Sequence, residues 1–330
     1  MKRRGFLTSA AGVGAAGLAS LTPSATPAAE DAKPKEARPR KHPIGVSTYS
    51  FWGFRRDELR PIEKNLELAA EMGFEGVEIL QVQMEDTSNA ALQKIKRKAF
   101  VLGLDLMGFS THQGFVSPDK EKRIKNINHT IDCIEQAYAL GIGTMRVNTG
   151  RWGTSKNFDE LMANKGIEPR LEGYTDDDGF GWVIDSYEKI VPHAEKCGVI
   201  LGLENHWGLG LTPEGVNRVV DAIDSPWLQV TLDTGNFLDN QYENAEKIAP
   251  KMVLLQAKTY FGGGRWYTLD IDYSKVAAIM DKAGFTGWVS LEFEGLDFIR
   301  PRDPARGRAD IPPGGARSRT SPQTRDEAAG

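Results

Sequence analysis

One recurring cadence constrains this chain more than any other feature. Five times a helical pattern ends on a glycine and an apolar strand follows: EMGFEGVEIL at Gly73, VLGLDLMGF at Gly103, ALGIGTMRV at Gly141, KCGVILGLE at Gly198 and KAGFTGWVSLE at Gly284. Glycine just past a helix takes the left-handed conformation without steric cost, so it ends the helix sharply. The strand begins almost at once, as short αβ loops allow. The helices between carry apolar residues at helical spacing: Ile62, Leu66, Leu68 and Ala69 on one, Ile127, Ile131, Ile134 and Tyr138 on another, and Val276, Ile279 and Met280 on a third.

Eight strands are expected: IGVSTYS from Ile44, GVEIL from Gly76, LDLMGFS from Leu104, TMRVN from Thr144, VILGLE from Val199, LQVTLD from Leu228, MVLLQ from Met252 and WVSLE from Trp288. Each intervening segment holds a helix. Continuous apolar strands are buried on both faces, which implies a parallel sheet. Eight such units over residues 43–296 predict an α/β fold of the (β/α)8, or TIM, barrel type. The competing open sheet would normally carry a Gly-rich phosphate turn after an early strand, and none is present.

The end of the chain breaks the pattern. From Asp297 onward there are five Pro, seven Arg and no Lys, and the large apolar residues are Phe298, Ile299 and Ile311. Such a segment has too little apolar surface to cover an eighth strand. Residues 297–330 are therefore expected to be a disordered or aberrant, frameshifted tail standing in place of the eighth helix. A barrel without that helix exposes apolar surface, which a second copy in a homo-oligomer would cover.

The first 40 residues carry seven Lys/Arg against three Asp/Glu, so the remainder bears −8 of a formal net charge of −4. An acidic body lacks the basic face that gathers phosphates, and no nucleic-acid partner is expected. The start, MKRRGFLTSAAGVGAAGLASL, places Arg3-Arg4 before an Ala/Gly-rich run. It resembles a twin-arginine export signal over residues 1–28, with cleavage between Ala25 and Ala29. That resemblance implies export through the twin-arginine pathway and a periplasmic location. The run is too short and Gly-rich to span a bilayer, so no stable membrane anchor is expected. Residues 29–42 read as a linker. Cys133 and Cys197 lie on separate helical patterns and are expected to be buried thiols.

The last four strands share one layout. They end on Glu204, Asp233, Gln256 and Glu292. In a barrel the carboxyl ends of all strands meet at one face, so these residues can converge. Three carboxylates side by side repel and are costly to desolvate, and a divalent cation removes that cost.

The segments ENHWG, TLDTGNF, LLQAKTY and SLEFEG resemble the metal-binding strand ends of the sugar phosphate isomerase/epimerase family, the xylose isomerase-like barrels. The likeness covers roughly Ile44 to Gly295. It implies that Glu204, Asp233, Gln256 and Glu292 hold a divalent metal ion, and that Glu204 and Glu292 remove and return a proton beside a substrate carbonyl. Many members carry His where Gln256 stands. With Gln, all four donors are oxygens, which favours Mn²⁺ or Mg²⁺ over Zn²⁺. His206 is a nitrogen ligand, a substrate contact or a packed histidine.

The substrate is expected to be a small carbohydrate. Its other candidate contacts are His112, Asn236, Lys258, Arg265 and Trp207, with Asn148, Trp52, Trp152 and Trp266 as weaker ones. Lys258 follows Gln256 by two and can face the same way. FGGGRWYT, Phe261 to Thr268, reads as a lid that brings Arg265 inward. Glu78 on the second strand is expected to form a salt link inside the barrel. The expected activity is a metal-dependent isomerase or epimerase working through an enediolate. A keto-glycoside lyase or inosose-type dehydratase and a non-catalytic sugar-binding barrel are the alternatives. The family's endonuclease branch needs more metal-binding histidines than the five in this chain provide.

Overall fold

The computed structural model describes residues 42–259 and 271–294. The predicted signal and linker (His42 aside), the Gly-rich loop with Arg265 and Trp266, and the tail 297–330 lie outside the described residues.

The eight expected strands all form. They are β1 (Ile44–Ser47), β2 (Gly76–Leu80), β3 (Asp105–Ser110), β4 (Thr144–Val147), β5 (Ile200–Glu204), β6 (Leu228–Asp233), β7 (Met252–Thr259) and β8 (Val289–Phe293). They pair in parallel and in sequence order, and β8 closes on β1. Around them run α1 (Tyr49–Trp52), α2 (Ile62–Glu71), α3 (Asn89–Leu102), α4 (Lys120–Leu140), α5 (Phe158–Ala163), α6 (Asp176–Cys197), α7 (Pro213–Ile223), α8 (Gln241–Ile248) and α9 (Tyr273–Lys282). The five glycines of the cadence all adopt positive φ, between 67° and 80°. Side chains cap the starts of α3, α4, α5, α6, α7 and α9, and Thr175 and Asp178 cap α6 reciprocally.

The two-residue alternation of strands sorts the core. Val77, Ile79, Phe109, Met145, Leu201, Leu203, Val230, Leu232 and Leu255 are essentially fully buried. They alternate with Glu78, Ser110, Arg146, Glu204, Thr231, Asp233, Gln256 and Ser290, which are just as buried. The apolar set faces the helices, and the polar set fills the barrel toward the carboxyl ends of the strands. Two small residues make the room. A Cβ on Gly108 would sit 3.1 Å from the Glu78 side chain, and one on Gly202 would lie 2.1 Å from Thr231 Oγ1.

One helical face differs from expectation. On α4 the buried stripe is Ile127, Thr130, Cys133, Ile134, Ala137 and Leu140. Ile131 is half-buried, and Tyr138 is 63% exposed. The small residues Thr130, Cys133 and Ala137 take the centre of the stripe against α6, which turns Ile131 and Tyr138 to its edge. Both cysteines are free thiols, Cys133 buried and Cys197 half-buried. Among the described residues no helix is long and apolar enough to cross a membrane.

Candidate active site

The polar interior gathers at the carboxyl ends of β4 to β8. Register places Asp233 beside Gln256, and Lys258 beside Glu292. Glu204, Asp233 and Gln256 are at most 1% exposed, and Glu292 is 7% exposed. The sequence-predicted quartet is thus buried on four consecutive strands.

Two protein cations share this space. Arg146 Nε lies 2.8 Å from Glu204 Oε2. Lys258 Nζ lies 3.0 Å from Asp233 Oδ2, 3.4 Å from Glu294 Oε1 and 3.8 Å from Glu292 Oε2. Asn236 joins the two ion pairs: its Nδ2 donates to Glu204 Oε1 at 3.1 Å, and its Oδ1 accepts from Lys258 Nζ at 3.1 Å. Asn205 pins β5 to β6 by imitating a strand partner. Its Nδ2 donates to the Asp233 carbonyl at 2.9 Å, and its Oδ1 accepts from the Asp233 amide at 2.7 Å.

Burial pushes the Glu204 carboxyl up to about 8; Arg146 opposes that shift and Asp233 reinforces it. Glu292 is likewise raised by burial, with Lys258 opposing and Asp233 adding to it. Burial works against the Arg146 charge, but the summed pull of Glu204, Glu292, Glu78 and Asp233 holds it on.

Among the described residues, no three His, Cys, Asp or Glu side chains are drawn into a ready-made metal cluster. Lys258 and Arg146 stand among the carboxylates and hold them to protein cations instead. The donor atoms themselves do fit a hard cation. Glu204 Oε2, Asp233 Oδ2, Gln256 Oε1 and Glu292 Oε2 are each buried and accept no hydrogen bond. The Arg146 contact lies off its N–H direction, so Arg146 Nε is itself without a hydrogen bond. One oxygen without a hydrogen bond on each member of the quartet, those of the three carboxylates facing only the charges of Arg146 or Lys258, matches the all-oxygen set that Mn²⁺ or Mg²⁺ prefers.

The other candidates divide. Lys258 and Asn236 are inside the cluster. His206 is half-buried beside it, 4.7 Å from the Trp207 ring and 6.3 Å from the His112 ring by centroid. Burial, with Arg146, His112 and Lys258 nearby, holds the His206 imidazole well below its usual range. His112 is open to solvent in the mouth. Trp207 packs on Phe158 at 5.4 Å. Asn148 does not turn to the site; its Oδ1 accepts from the amides of Gln113 and Gly150 and shapes the β4 loop. Trp52 is buried under Phe54 and Arg60, and Trp152 packs on Trp182. Arg265 lies outside the described residues.

Glu78 makes no salt link among the described residues. It accepts from the hydroxyls of Ser110 and Ser290 and from Gln256 Nε2 at 2.9 Å. Neutral donors surround it because β3 and β8 offer serine, not a cation, at the matching inward positions.

Above the mouth, Glu168 ties the β4–α5 loop. It accepts from the amides of Gly153 at 2.9 Å and Ser155 at 3.1 Å and pairs with Arg151. Burial pushes its carboxyl up, but those bonds and Arg151 outweigh it and hold it below the ordinary glutamate range.

Sequence reasoning missed Arg146, Asn205, Ser110 and Ser290. Arg146 had a signal: a charge between Met145 and Val147 in a strand otherwise read as buried.

The fold has many solved counterparts. The 3-keto-D-glucoside 4-epimerase from E. coli is 18% identical, with a TM-score of 0.60 over 80% of this chain and 95% of that one. The D-psicose 3-epimerase from Clostridium cellulolyticum H10, solved with D-tagatose, is 18% identical, with a TM-score of 0.61 over 77% and 86%. A D-tagatose 3-epimerase-like protein is 21% identical, with a TM-score of 0.60 over 77% and 91%. No curated protein is a significant match to the sequence. The family model for the xylose isomerase-like TIM barrel matches residues 66–311. On that match, carried by the closed eight-stranded barrel, the chain belongs to the xylose isomerase-like TIM barrel family.

Proposed function

We propose that this isomerase/epimerase-like barrel is a divalent-metal-dependent enzyme that moves a proton beside the carbonyl of a keto-sugar or related carbohydrate. The observation that carries the reading is the buried oxygen without a hydrogen bond on each of Glu204, Asp233, Gln256 and Glu292. These four residues would hold the ion, with Mn²⁺ or Mg²⁺ preferred. When bound, such an ion supplies a Lewis acid that polarises the carbonyl and stabilises the enediolate.

The chain's own groups do the rest. Glu204 and Glu292 sit on strands separated by β6 and β7, so they can reach a substrate from different sides. One removes the proton and the other returns it. Asn236 holds Glu204 through Oε1, which fixes the direction of the other oxygen. Lys258 balances the carboxylate charge and stands ready to meet a substrate hydroxyl or oxyanion. His206, His112 and Trp207 offer a polar and aromatic wall against a sugar ring. Solved epimerases of the same fold, including one named for a keto-glucoside, support the substrate class. A lyase or dehydratase on a keto-glycoside is the second reading, since the keto-glucoside in that name is the class of substrate it would take. The arginine pair near the start of the chain, Arg3-Arg4, supports a periplasmic location for the reaction.

Metal content of the purified protein tests the reading, with Asp233→Asn as control. About one Mn²⁺ or Mg²⁺ per chain, lost in the control, is expected from one four-ligand site. A well-folded sample without metal overturns it and favours a sugar-binding barrel. Incubation with keto-sugars then separates the chemistries: an isomerase or epimerase conserves product mass, and a lyase or dehydratase releases an aglycone or water.

A further inference from the structure

The seventh strand offers a glutamine amide, Gln256, among the carboxylates at the mouth of the barrel. An amide must be turned the right way round, because only its oxygen can hold a cation. The structure shows what turns it. Glu78 lies across the barrel on β2, fully buried. Its carboxylate accepts the Gln256 Nε2 at 2.9 Å. The same Nε2 lies 3.4 Å from Ser110 Oγ. Ser110 and Ser290 donate their hydroxyls to Glu78, one to each of its oxygens. A carboxylate so engaged offers only acceptors, so the nitrogen end of Gln256 must face it. The oxygen end is left turned away from Glu78, buried and without a donor. Asp233 is its register neighbour there.

We infer that Glu78 is a positioning residue for the metal site: braced by Ser110 and Ser290, it locks the Gln256 amide with Oε1 toward the cation. The inference rests on the metal reading above and adds what makes glutamine serve as a ligand. It also explains a buried carboxylate that meets no cation among the described residues, which would otherwise cost stability for no return. Outer partners that orient a ligand are worth about 10–100-fold in metal affinity.

The experiment is a titration of Mn²⁺ into the metal-free protein, followed by the electron paramagnetic resonance signal of free Mn²⁺. Four chains are compared: wild type, Glu78→Gln, Gln256→Ala and the double variant. In Glu78→Gln the new amide can donate or accept, so Gln256 is free to flip, and affinity is expected to fall about 10–100-fold. In the Gln256→Ala background the second change is expected to make no further difference, because Glu78 acts through Gln256. A merely structural role would weaken binding equally in both backgrounds, and that additive result overturns the inference. Equal affinity of wild type and Glu78→Gln overturns it too, while leaving the metal reading intact. A wild type that binds no Mn²⁺ overturns both. Should Glu78→Gln fail to fold by circular dichroism, Glu78→Met replaces it. That variant removes the carboxylate that accepts from Gln256 Nε2. A measurable fall in affinity that vanishes in the Gln256→Ala background supports the inference, and an unchanged affinity overturns it.

Discussion

Replacing Arg146 by Met tests whether the charges inside the barrel are held in balance. The guanidinium and the Glu204 carboxylate are 5% and 1% exposed and 2.8 Å apart. At an effective dielectric of about 20, unit charges at that separation attract by about 6 kcal/mol. The loss on mutation is smaller. Glu204 is already raised to about 8 by burial, and without Arg146 it escapes its stranded charge by taking up a proton. Breaking one side of a buried pair costs about 3–5 kcal/mol, and this escape places Arg146→Met near about 3 kcal/mol. Glu204→Gln alone is milder, because Asp233, Glu292 and Glu78 still attract Arg146. In the double variant no Glu204 charge is left to strand, so the combined loss falls short of the sum of the single losses by about 2 kcal/mol. The assay is urea unfolding of the chelator-treated protein at about pH 9, above the Glu204 value of about 8 so that the carboxyl is ionised, read as the shift of midpoint at constant slope. A double variant whose loss equals the sum of the single losses refutes the reasoning.

Three further outcomes are expected. Gly202→Ala, whose Cβ would meet Thr231 Oγ1 at 2.1 Å, destabilises the barrel by about 1–3 kcal/mol, and adding Thr231→Ala recovers part of it in the same unfolding assay. Cys133, whose thiol burial pushes up to about 12, stays unlabelled by a thiol reagent at pH 8 until the chain is unfolded, as mass spectrometry of the digested protein will show. Glu168 has its folded pKa below its unfolded one, so its contribution is present above the ordinary glutamate range and is lost as pH falls through the lower folded value. Amide protection at Gly153 and Ser155 therefore drops on acidification, and Glu168→Gln abolishes that pH dependence.

The barrel was legible because its signals are local and repeated. A glycine past each of five helices and an apolar run after it need no knowledge of distant contacts. The quartet was legible for a related reason: a strand end has a defined place in a parallel barrel, so Glu204, Asp233, Gln256 and Glu292 could be set on one face before any coordinates. The interior partners were not. Ser110 and Ser290 are ordinary residues in their own strands, Arg146 stands out only as a charge in an apolar one, and the roles of all three exist only where strands far apart in sequence face one another. Glu78 was read as one half of a salt link because a buried carboxylate usually finds a cation. Two serines and an amide satisfied it instead. On α4 the error was one of centring: isoleucines and a tyrosine drew the stripe, and the small residues that allow close helix approach were overlooked.

Closure of β8 on β1, fastened by a contact from α1, has a consequence for how the molecule comes into being. The Ser50 hydroxyl donates to the Leu291 carbonyl at 3.2 Å and accepts from the Phe293 amide at 2.9 Å, across 241 and 243 residues. A chain leaving the ribosome therefore carries β1 as an unpaired edge for nearly the whole of its synthesis. Open edges of this kind invite other chains to pair with them. A product cut short before Val289 lacks β8 and is left with two such edges, so early termination there is expected to yield an aggregation-prone fragment. The growing sheet has to be shielded until its last strand arrives, and nascent-chain chaperones, which cover exposed edges and apolar surface, are the agents suited to do so.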